Sequence, residues 1–114
     1  KPRITPPWGT YRVPSLRGVV CDIDWRSPTG HAHMRVDDGA VTLAPHGQGA
    51  QCLVETRTDE DLQRMLRGEL NVVTATLQGR VAASGDLLLA VRVAGSLPEL
   101  GRLCNAASER EEAR

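Results

Sequence analysis

The chain has 114 residues, and its fourteen basic side chains balance fourteen acidic ones, which gives a formal net charge of zero. This length suits one domain with one modest hydrophobic core. Because the charge is balanced and only 3% of the residues are aromatic, the chain lacks the basic surface and the stacking rings of a nucleic-acid-binding protein.

The cysteines Cys21, Cys52 and Cys104 are odd in number and far apart. This pattern argues against a disulfide framework or a zinc site and is typical of buried thiols in a reducing compartment. No apolar run approaches the length of a membrane span. We therefore expect a cytoplasmic protein without a transmembrane segment or a cofactor, and the abundance of alanine, valine, leucine and arginine suggests a bacterial source.

Residues 1–14 are rich in proline and are predicted to form an extended arm, because proline blocks both helices and pairing in the interior of a sheet. A two-residue alternation then predicts a half-buried strand over residues 16–25. The apolar row of this strand is Val19, Cys21, Ile23 and Trp25.

Three further strands are predicted, over residues 31–36, 41–45 and 50–56. The first has Ala32, Met34 and Val36 in its inward row and His31, His33 and Arg35 in its outward row. The Asp38-Gly39 pair suits the positive φ of a tight hairpin, and Leu43 points inward from the next strand. Four hairpin-linked strands would form an antiparallel meander.

Residues 58–68 carry the clearest helical pattern. Thr58 can cap the helix, acidic residues follow it, and Gly68 can end it in the left-handed conformation. The apolar stripe of this helix is Leu62, Met65 and Leu66.

Residues 71–78 and 86–94 each begin with a capping residue but are rich in β-branched or apolar side chains, so periodicity leaves helix and strand equally open. A last helix is predicted from a capping box at residues 96–99. Its apolar stripe is Leu97, Leu100, Leu103 and Cys104. The charged residues 108–114 have nothing to bury and are expected to fray.

Residues 58–97 also contain a characteristic set of helix, turn and strand residues, namely Asp61, Leu62, Leu66, Gly68, Ala75, Gly79, Arg80, Val81, Gly85, Asp86 and Ala90. This set resembles the carboxy-terminal signature of sterol carrier protein type 2 domains. In that family a helix ending in Leu-x-Gly is followed by a short helix, a strand and a Gly-Asp turn before a last helix. The resemblance implies that residues 71–78 and 86–94 are helices and that residues 80–84 form a fifth strand.

The implied fold is an α+β domain, residues 15–107, in which helices cover one face of a five-stranded, largely antiparallel sheet. Residues 1–14 and 108–114 would flank this domain as arm and tail. Three sets of apolar helix positions are expected to face the sheet, namely Met65 and Leu66, then Val72, Val73 and Leu77, and then Leu88, Leu89, Val91 and Val93.

The resemblance further implies non-covalent binding of a hydrophobic small molecule, such as a lipid, sterol, acyl chain or polyketide, in an apolar cavity between sheet and helices. The predicted lining residues are Trp25, Met34, Leu43, Met65, Leu66, Val73, Leu77, Leu89, Val93 and Leu97.

Titratable side chains indicate little chemistry. His31 and His33 share a strand face and could ligate a metal, but a metal site needs further ligands. We interpret them as solvated residues on the polar face of the strand. Asp22 and Asp24 also share a face, although outward acids on an amphipathic strand are commonplace. We expect neither a metal site nor a catalytic residue.

Two alternatives remain open. The domain could be a non-catalytic accessory or dimerisation module that docks on a partner domain or a second copy. It could also be a cavity that shapes a reactive ligand, with Asp22, Asp24 or a histidine as acid or base. Ligand binding predicts a cavity of about 300–1,000 Å³, whereas an accessory module predicts a filled core and an exposed apolar patch.

Overall fold

The structure is a computed structural model, and it describes residues 8–112. Six strands, one short 3-10 helix and four α-helices follow one another along these residues. In chain order they are β1 (Gly9–Arg12), the 3-10 helix (Pro14–Leu16), β2 (Val20–Arg26), β3 (His31–Asp37), β4 (Ala40–Ala44), β5 (Cys52–Thr56), α1 (Asp59–Leu66), α2 (Val72–Leu77), β6 (Val81–Gly85), α3 (Leu87–Ala94) and α4 (Leu97–Glu112).

The strands form one mixed sheet in the order β1-β4-β3-β2-β5-β6. β5 pairs in parallel with β2, with Ile23 opposite Cys52 and Trp25 opposite Val54. The α+β class is confirmed, but the predicted meander of four hairpin-linked strands and the predicted five-stranded, largely antiparallel sheet are wrong. Instead of returning beside β4, the chain crosses over β3 and β2 before β5 begins. Alternation shows which side chains face inward, but it does not identify the neighbouring strand.

The sixth strand comes from the predicted arm. β1 pairs antiparallel with β4, from Gly9 opposite Leu43 to Arg12 opposite Ala40. Its four residues contain no proline, so their amides can join the ladder. The rest of the arm, residues 1–7, lies outside the described residues. At the other end α4 extends to Glu112. The domain boundaries at residues 15 and 107 stay a prediction.

The first predicted strand begins later than its alternation suggests. Leu16 lies in the 3-10 helix, and Gly18 has a φ of +83° that interrupts the extended backbone before β2. The hairpin between β3 and β4 is confirmed, because Asp38 and Gly39 both have positive φ, at 51° and 92°.

The two helices and the strand implied by the resemblance are confirmed as α2, α3 and β6, and the predicted helix over residues 58–68 is confirmed as α1. Each of these three helices has a side-chain cap at its first turn. Thr58 accepts a hydrogen bond from the Asp61 amide before α1. Asn71 and Asp86 accept corresponding bonds at the starts of α2 and α3. Satisfying an orphan amide in this way stabilises a helix by about 0.5–2 kcal/mol. The caps therefore outweigh the β-branched composition of the two short helices.

The inward rows of the sheet and the covering faces of the helices form one buried cluster. Trp25, Ile23, Met34, Met65 and Val93 are fully buried in it, at 0% exposure. Val19 is only half-buried, since it precedes the regular part of β2.

The contact between α1 and α4 depends on a buried glycine. A Cβ atom at Gly101 would overlap the carbonyl oxygen of Arg67, the residue that ends α1. We therefore expect Gly101→Ala to lower the free energy of unfolding by about 1–3 kcal/mol, the usual effect of overpacking. Urea denaturation measures the loss.

Gly95→Ala is the matched control. A Cβ atom there would meet its nearest neighbour at 3.6 Å, and the φ of −64° suits alanine. We expect this variant to be as stable as the parent or up to about 1 kcal/mol more stable. Equal stability of the two alanine variants would contradict the packing described for α1 and α4.

Candidate functional site

Most of the predicted lining residues lie inside the closed core. Trp25, Met34, Leu43, Met65, Leu66, Val93 and Leu97 are between 0% and 3% exposed. Leu89 is half-buried. Val73 and Leu77, in contrast, are 49% and 84% exposed. The structure therefore does not bring the ten predicted residues together around one space.

A groove of about 430 Å³ lies instead on the helical side of the domain. Its walls are the connection from α1 to α2, the first turn of α2, the end of α3 and the start of α4. The apolar side chains that line it include Leu70, Val72, Val73, Val91, Ala94 and Leu97. Val73 and Leu97 are the predicted lining residues that reach it. Glu69 and Asn71 supply polar groups beside them.

The two helices α2 and α3, which contribute to this groove, also carry exposed apolar side chains. Val73 and Leu77 lie one turn apart on α2, while Leu87, Leu88 and Val91 lie on α3. Their exposure runs from 49% to 85%. We call these five residues the α2–α3 apolar face. Several large apolar side chains exposed on two neighbouring helices of a small domain commonly mark a binding site.

The rotation of α3 explains why the face is left uncovered. Ala90 and Val93, three residues apart, are its buried positions, at 5% and 0% exposure. The expectation that Leu88 and Val91 also face the sheet is wrong. Only one stripe of a helix can contact a sheet, and Leu87–Ala94 is apolar on nearly every side, with Arg92 as its charged exception. That all-round apolar composition was the sequence signal for an exposed face.

The opposite face of the sheet carries a charged cluster. Both ring nitrogens of His33 face carboxylates, with Nε2 at 3.0 Å from Asp22 Oδ1 and Nδ1 at 2.9 Å from Asp24 Oδ1. His31 Nε2 lies 3.2 Å from Asp24, and Arg35 donates to Asp22 at 2.6 Å. The interpretation of His33 as a solvated residue is wrong, because it is only 6% exposed.

Two opposing effects act on the pKa of His33. Burial disfavours the charged ring, but the hydrogen bonds and charges of Asp24 and Asp22 outweigh it, so the pKa of His33 is raised above its ordinary value. Burial would raise the pKa of Asp24, but hydrogen bonds from His33 and His31 lower it overall. The pair is therefore held in its charged form.

The carboxylates that could act as an acid or a base are already engaged in these contacts. The carboxylates of Asp22 and Asp24 are engaged by His33, His31 and Arg35. Within residues 8–112, no group of three or more histidine, cysteine or acidic side chains has the arrangement to hold a metal ion. Burial also raises the pKa of Cys52 to about 11 and raises that of Cys21. Both thiols therefore stay protonated and poorly nucleophilic at neutral pH.

No helix in the described part of the chain is long and apolar enough to cross a membrane. The groove and the α2–α3 apolar face present apolar side chains to solvent. They can remove apolar surface from water without making or breaking a bond.

Solved structures with a similar fold come from proteins of very different length. A stereoselective inverting sec-alkylsulfatase from Pseudomonas sp. shares 20% identity with a TM-score of 0.59, over 72% of this chain and 13% of that one. The chain thus spans a small part of that protein. A ubiquinone synthesis protein, UbiJ-SCP2, shares 15% identity with a TM-score of 0.59, over 75% of this chain and 74% of that one.

A conserved protein from Thermus thermophilus shares 13% identity with a TM-score of 0.59, over 80% of this chain and 72% of that one. At these identities the similarity establishes the fold alone. No curated protein matches the sequence.

The family comparison is more extensive. The model of the SCP-2 sterol transfer family matches residues 3–98, which include all six strands and the helices α1 to α3. The matched residues thus include the parts of α2 and α3 that line the groove. The chain therefore belongs to the SCP-2 sterol transfer family.

Proposed function

We propose that this domain binds a hydrophobic small molecule, such as a lipid, sterol, acyl chain or polyketide, without covalent chemistry. The observation that carries the proposal is the groove of about 430 Å³ bordered by exposed valine and leucine side chains. Membership of a sterol transfer family supports the same class of ligand. A cytoplasmic location belongs to this proposal as well.

Burial would provide the binding energy. Fully covering a valine or leucine side chain contributes about 1.5–3 kcal/mol, and Leu77, Leu88 and Val91 are each more than half exposed. α2 contains no charged residue and α3 contains only Arg92, so a ligand on this face would displace few strongly hydrated groups. An apolar ligand is therefore favoured over a polar one.

The groove lies near the lower end of the usual range of ligand pockets, about 300–1,000 Å³. A long acyl chain or a sterol would therefore occupy the groove with one part and cover the α2–α3 apolar face with the rest. Binding there requires no separation of the helices from the sheet.

The interior site predicted from the sequence is a second location for the same ligand. To open it, α3 would have to lose the packing of Ala90 and Val93 on the sheet. One polar atom favours it, since the indole Nε1 of Trp25 is buried and has no hydrogen-bond partner among the described residues. A ligand oxygen in the interior could accept this hydrogen bond. We prefer the groove because it needs no such rearrangement.

The second candidate function is that of a non-catalytic accessory or dimerisation module. A filled core together with an exposed apolar face is what this candidate predicts. In that case a second copy or a partner domain would cover the α2–α3 apolar face.

A pair of valine variants tests the groove. Val91 lines it, and Val20 on β2 is equally exposed, at 56%. We expect Val91→Gln to weaken the uptake of a fluorescent fatty acid at least fivefold, because an amide replaces apolar contact area. Val20→Gln should leave uptake unchanged. Fluorescence titration gives both dissociation constants.

The Leu89→Trp variant distinguishes ligand binding in the groove from ligand binding in the interior. In the closed core the larger side chain should lower the free energy of unfolding by about 1–3 kcal/mol while the groove still takes up the fatty acid. Lost uptake with little loss of stability would locate the ligand in the interior. A parent protein that takes up no fatty acid would contradict ligand binding altogether.

Self-association distinguishes the two candidate functions. If the α2–α3 apolar face serves a small ligand, sedimentation equilibrium should find a monomer at micromolar concentration. A parent dimer that becomes monomeric in the Leu77→Gln, Leu88→Gln double variant would favour the dimerisation module, since both side chains are more than four-fifths exposed.

A further inference from the structure

The connection from β4 to β5 crosses the polar face of the sheet, and we call residues 45–51 the crossover segment. At its start, His31 Nδ1 lies 2.9 Å from the carbonyl oxygen of Pro45. At its end, the Gln51 amide donates to Asp22 O at 2.9 Å, and the Asp22 amide donates to Gln51 Oε1 at 2.7 Å. In its middle, Gly47 lies so close to the ring of His33 that a Cβ atom would overlap it.

The hydrogen bonds of His33 require a charged ring. Carboxylates accept hydrogen bonds and do not donate them when ionised, and His33 has one carboxylate at each ring nitrogen. A neutral imidazole has only one N–H, so its other nitrogen would present a lone pair to a carboxylate. Losing the proton therefore breaks one of the two bonds.

We propose that protonated His33 is a latch that holds the crossover segment on the sheet and that loss of its proton loosens the segment. Bonds to Asp22 and Asp24 at its two nitrogens fix the ring, and Gly47 packs directly on that ring. The backbone of Asp22 holds Gln51 at the end of the segment, since its carbonyl oxygen accepts from the Gln51 amide and its own amide donates to Gln51 Oε1.

The latch extends to the helical side of the domain. The Asp86 amide donates to the carbonyl oxygen of Gln51 at 2.9 Å, and the Asp86 side chain caps α3 by accepting from the Leu89 amide at 3.1 Å. Gly85 permits this approach, since a Cβ atom there would overlap Gln51. The end of the crossover segment and the start of α3 are therefore fixed to one another.

The charged groups around His33 come from three elements. β2 provides Asp22 and Asp24, β3 provides His31 and Arg35, and the crossover segment provides His46, whose ring centroid lies 6.1 Å from that of His31. Arg35 continues to balance Asp22 after His33 loses its proton. The ring on which Gly47 packs is then held at one nitrogen instead of two, and this is the change that reaches the crossover segment.

The direction of the pH dependence follows from the pKa of His33, which the fold raises. The stabilisation is complete below the ordinary histidine value of about 6.5 and is lost as the pH rises through the higher pKa of the folded protein. Asp24 acts in the opposite direction, because its pKa is lowered. Its contribution is lost only in acid, as the pH falls through that lowered pKa.

Hydrogen exchange of the parent protein tests the latch. We expect the protection factors of the Gln51 and Asp86 amides, corrected for intrinsic base catalysis, to fall at least tenfold between pH 5.5 and pH 8. The midpoint should match the His33 pKa measured by imidazole NMR, above about 6.5. Staying at or below pH 8 avoids ionising the cysteines of the unfolded chain, whose pKa is about 8.5.

Two variants complete the test. His33→Gln cannot carry a charge, so its Gln51 and Asp86 amides should show low protection that does not change with pH. His46→Gln removes an exposed histidine of the crossover segment and should retain the pH dependence of the parent.

Three results would overturn the latch. They are a His33 pKa at or below the ordinary value, protection that stays constant through the His33 titration, or the same pH dependence in His33→Gln. If His33→Gln does not fold, the parent protein still tests the latch. The midpoint of its change in amide protection either agrees with the measured His33 pKa, which supports the latch, or disagrees, which overturns it.

Discussion

The parallel pairing of β5 with β2 is the constraint on which the rest of the structure depends. β2 and β4 both run antiparallel to β3, so β5 points the same way as β4 and cannot follow it by a hairpin. The chain must cross β3 and β2 over the polar face of the sheet to reach the free edge of β2, because parallel strands cannot be joined by a hairpin. This crossing places Gly47 on the ring of His33 and Gln51 beside Asp22. It also brings β6 and α3 to the same end of the sheet, because β6 pairs with β5.

The two faces of the sheet consequently differ in polarity. One face is apolar and closed by helices, with Trp25 and Met34 fully buried. The other holds a charged cluster in which two carboxylates are balanced by His33 and Arg35. Arg80 and Asp61 form a comparable ion pair at the helical side, with Nη2 of Arg80 2.7 Å from Oδ1 of Asp61, which connects α1 to the strand β6. The two titratable polar side chains that are buried among residues 8–112, His33 and Asp61, are thus both paired, as the cost of desolvation demands.

The helical layer covers the sheet but leaves part of itself uncovered. α3 has more apolar residues than one sheet contact can bury, and α2 adds Val73 and Leu77 to the same surface. Leaving several leucine and valine side chains in water sacrifices stabilisation of about 1.5–3 kcal/mol for each one that could have been buried. A surface that serves no binding partner gains nothing from this sacrifice. The ligand groove and the accessory module are two ways in which the same surface would be covered.

The sequence by itself determined the local structure. Thr58, Asn71 and Asp86 marked the helix starts, Asp38-Gly39 marked the hairpin, and alternation identified Cys21, Ile23 and Trp25 as inward. These features depend on contacts within a few residues, so local rules predict them. The family signature then decided between helix and strand for residues 71–78 and 86–94. Only the tertiary structure decided the partner of β5, the pairing of β1 with β4, the rotation of α3 and the burial of His33. Each of these depends on groups distant in the chain, and an apolar or charged residue satisfies the same local pattern whether its neighbour is protein or water.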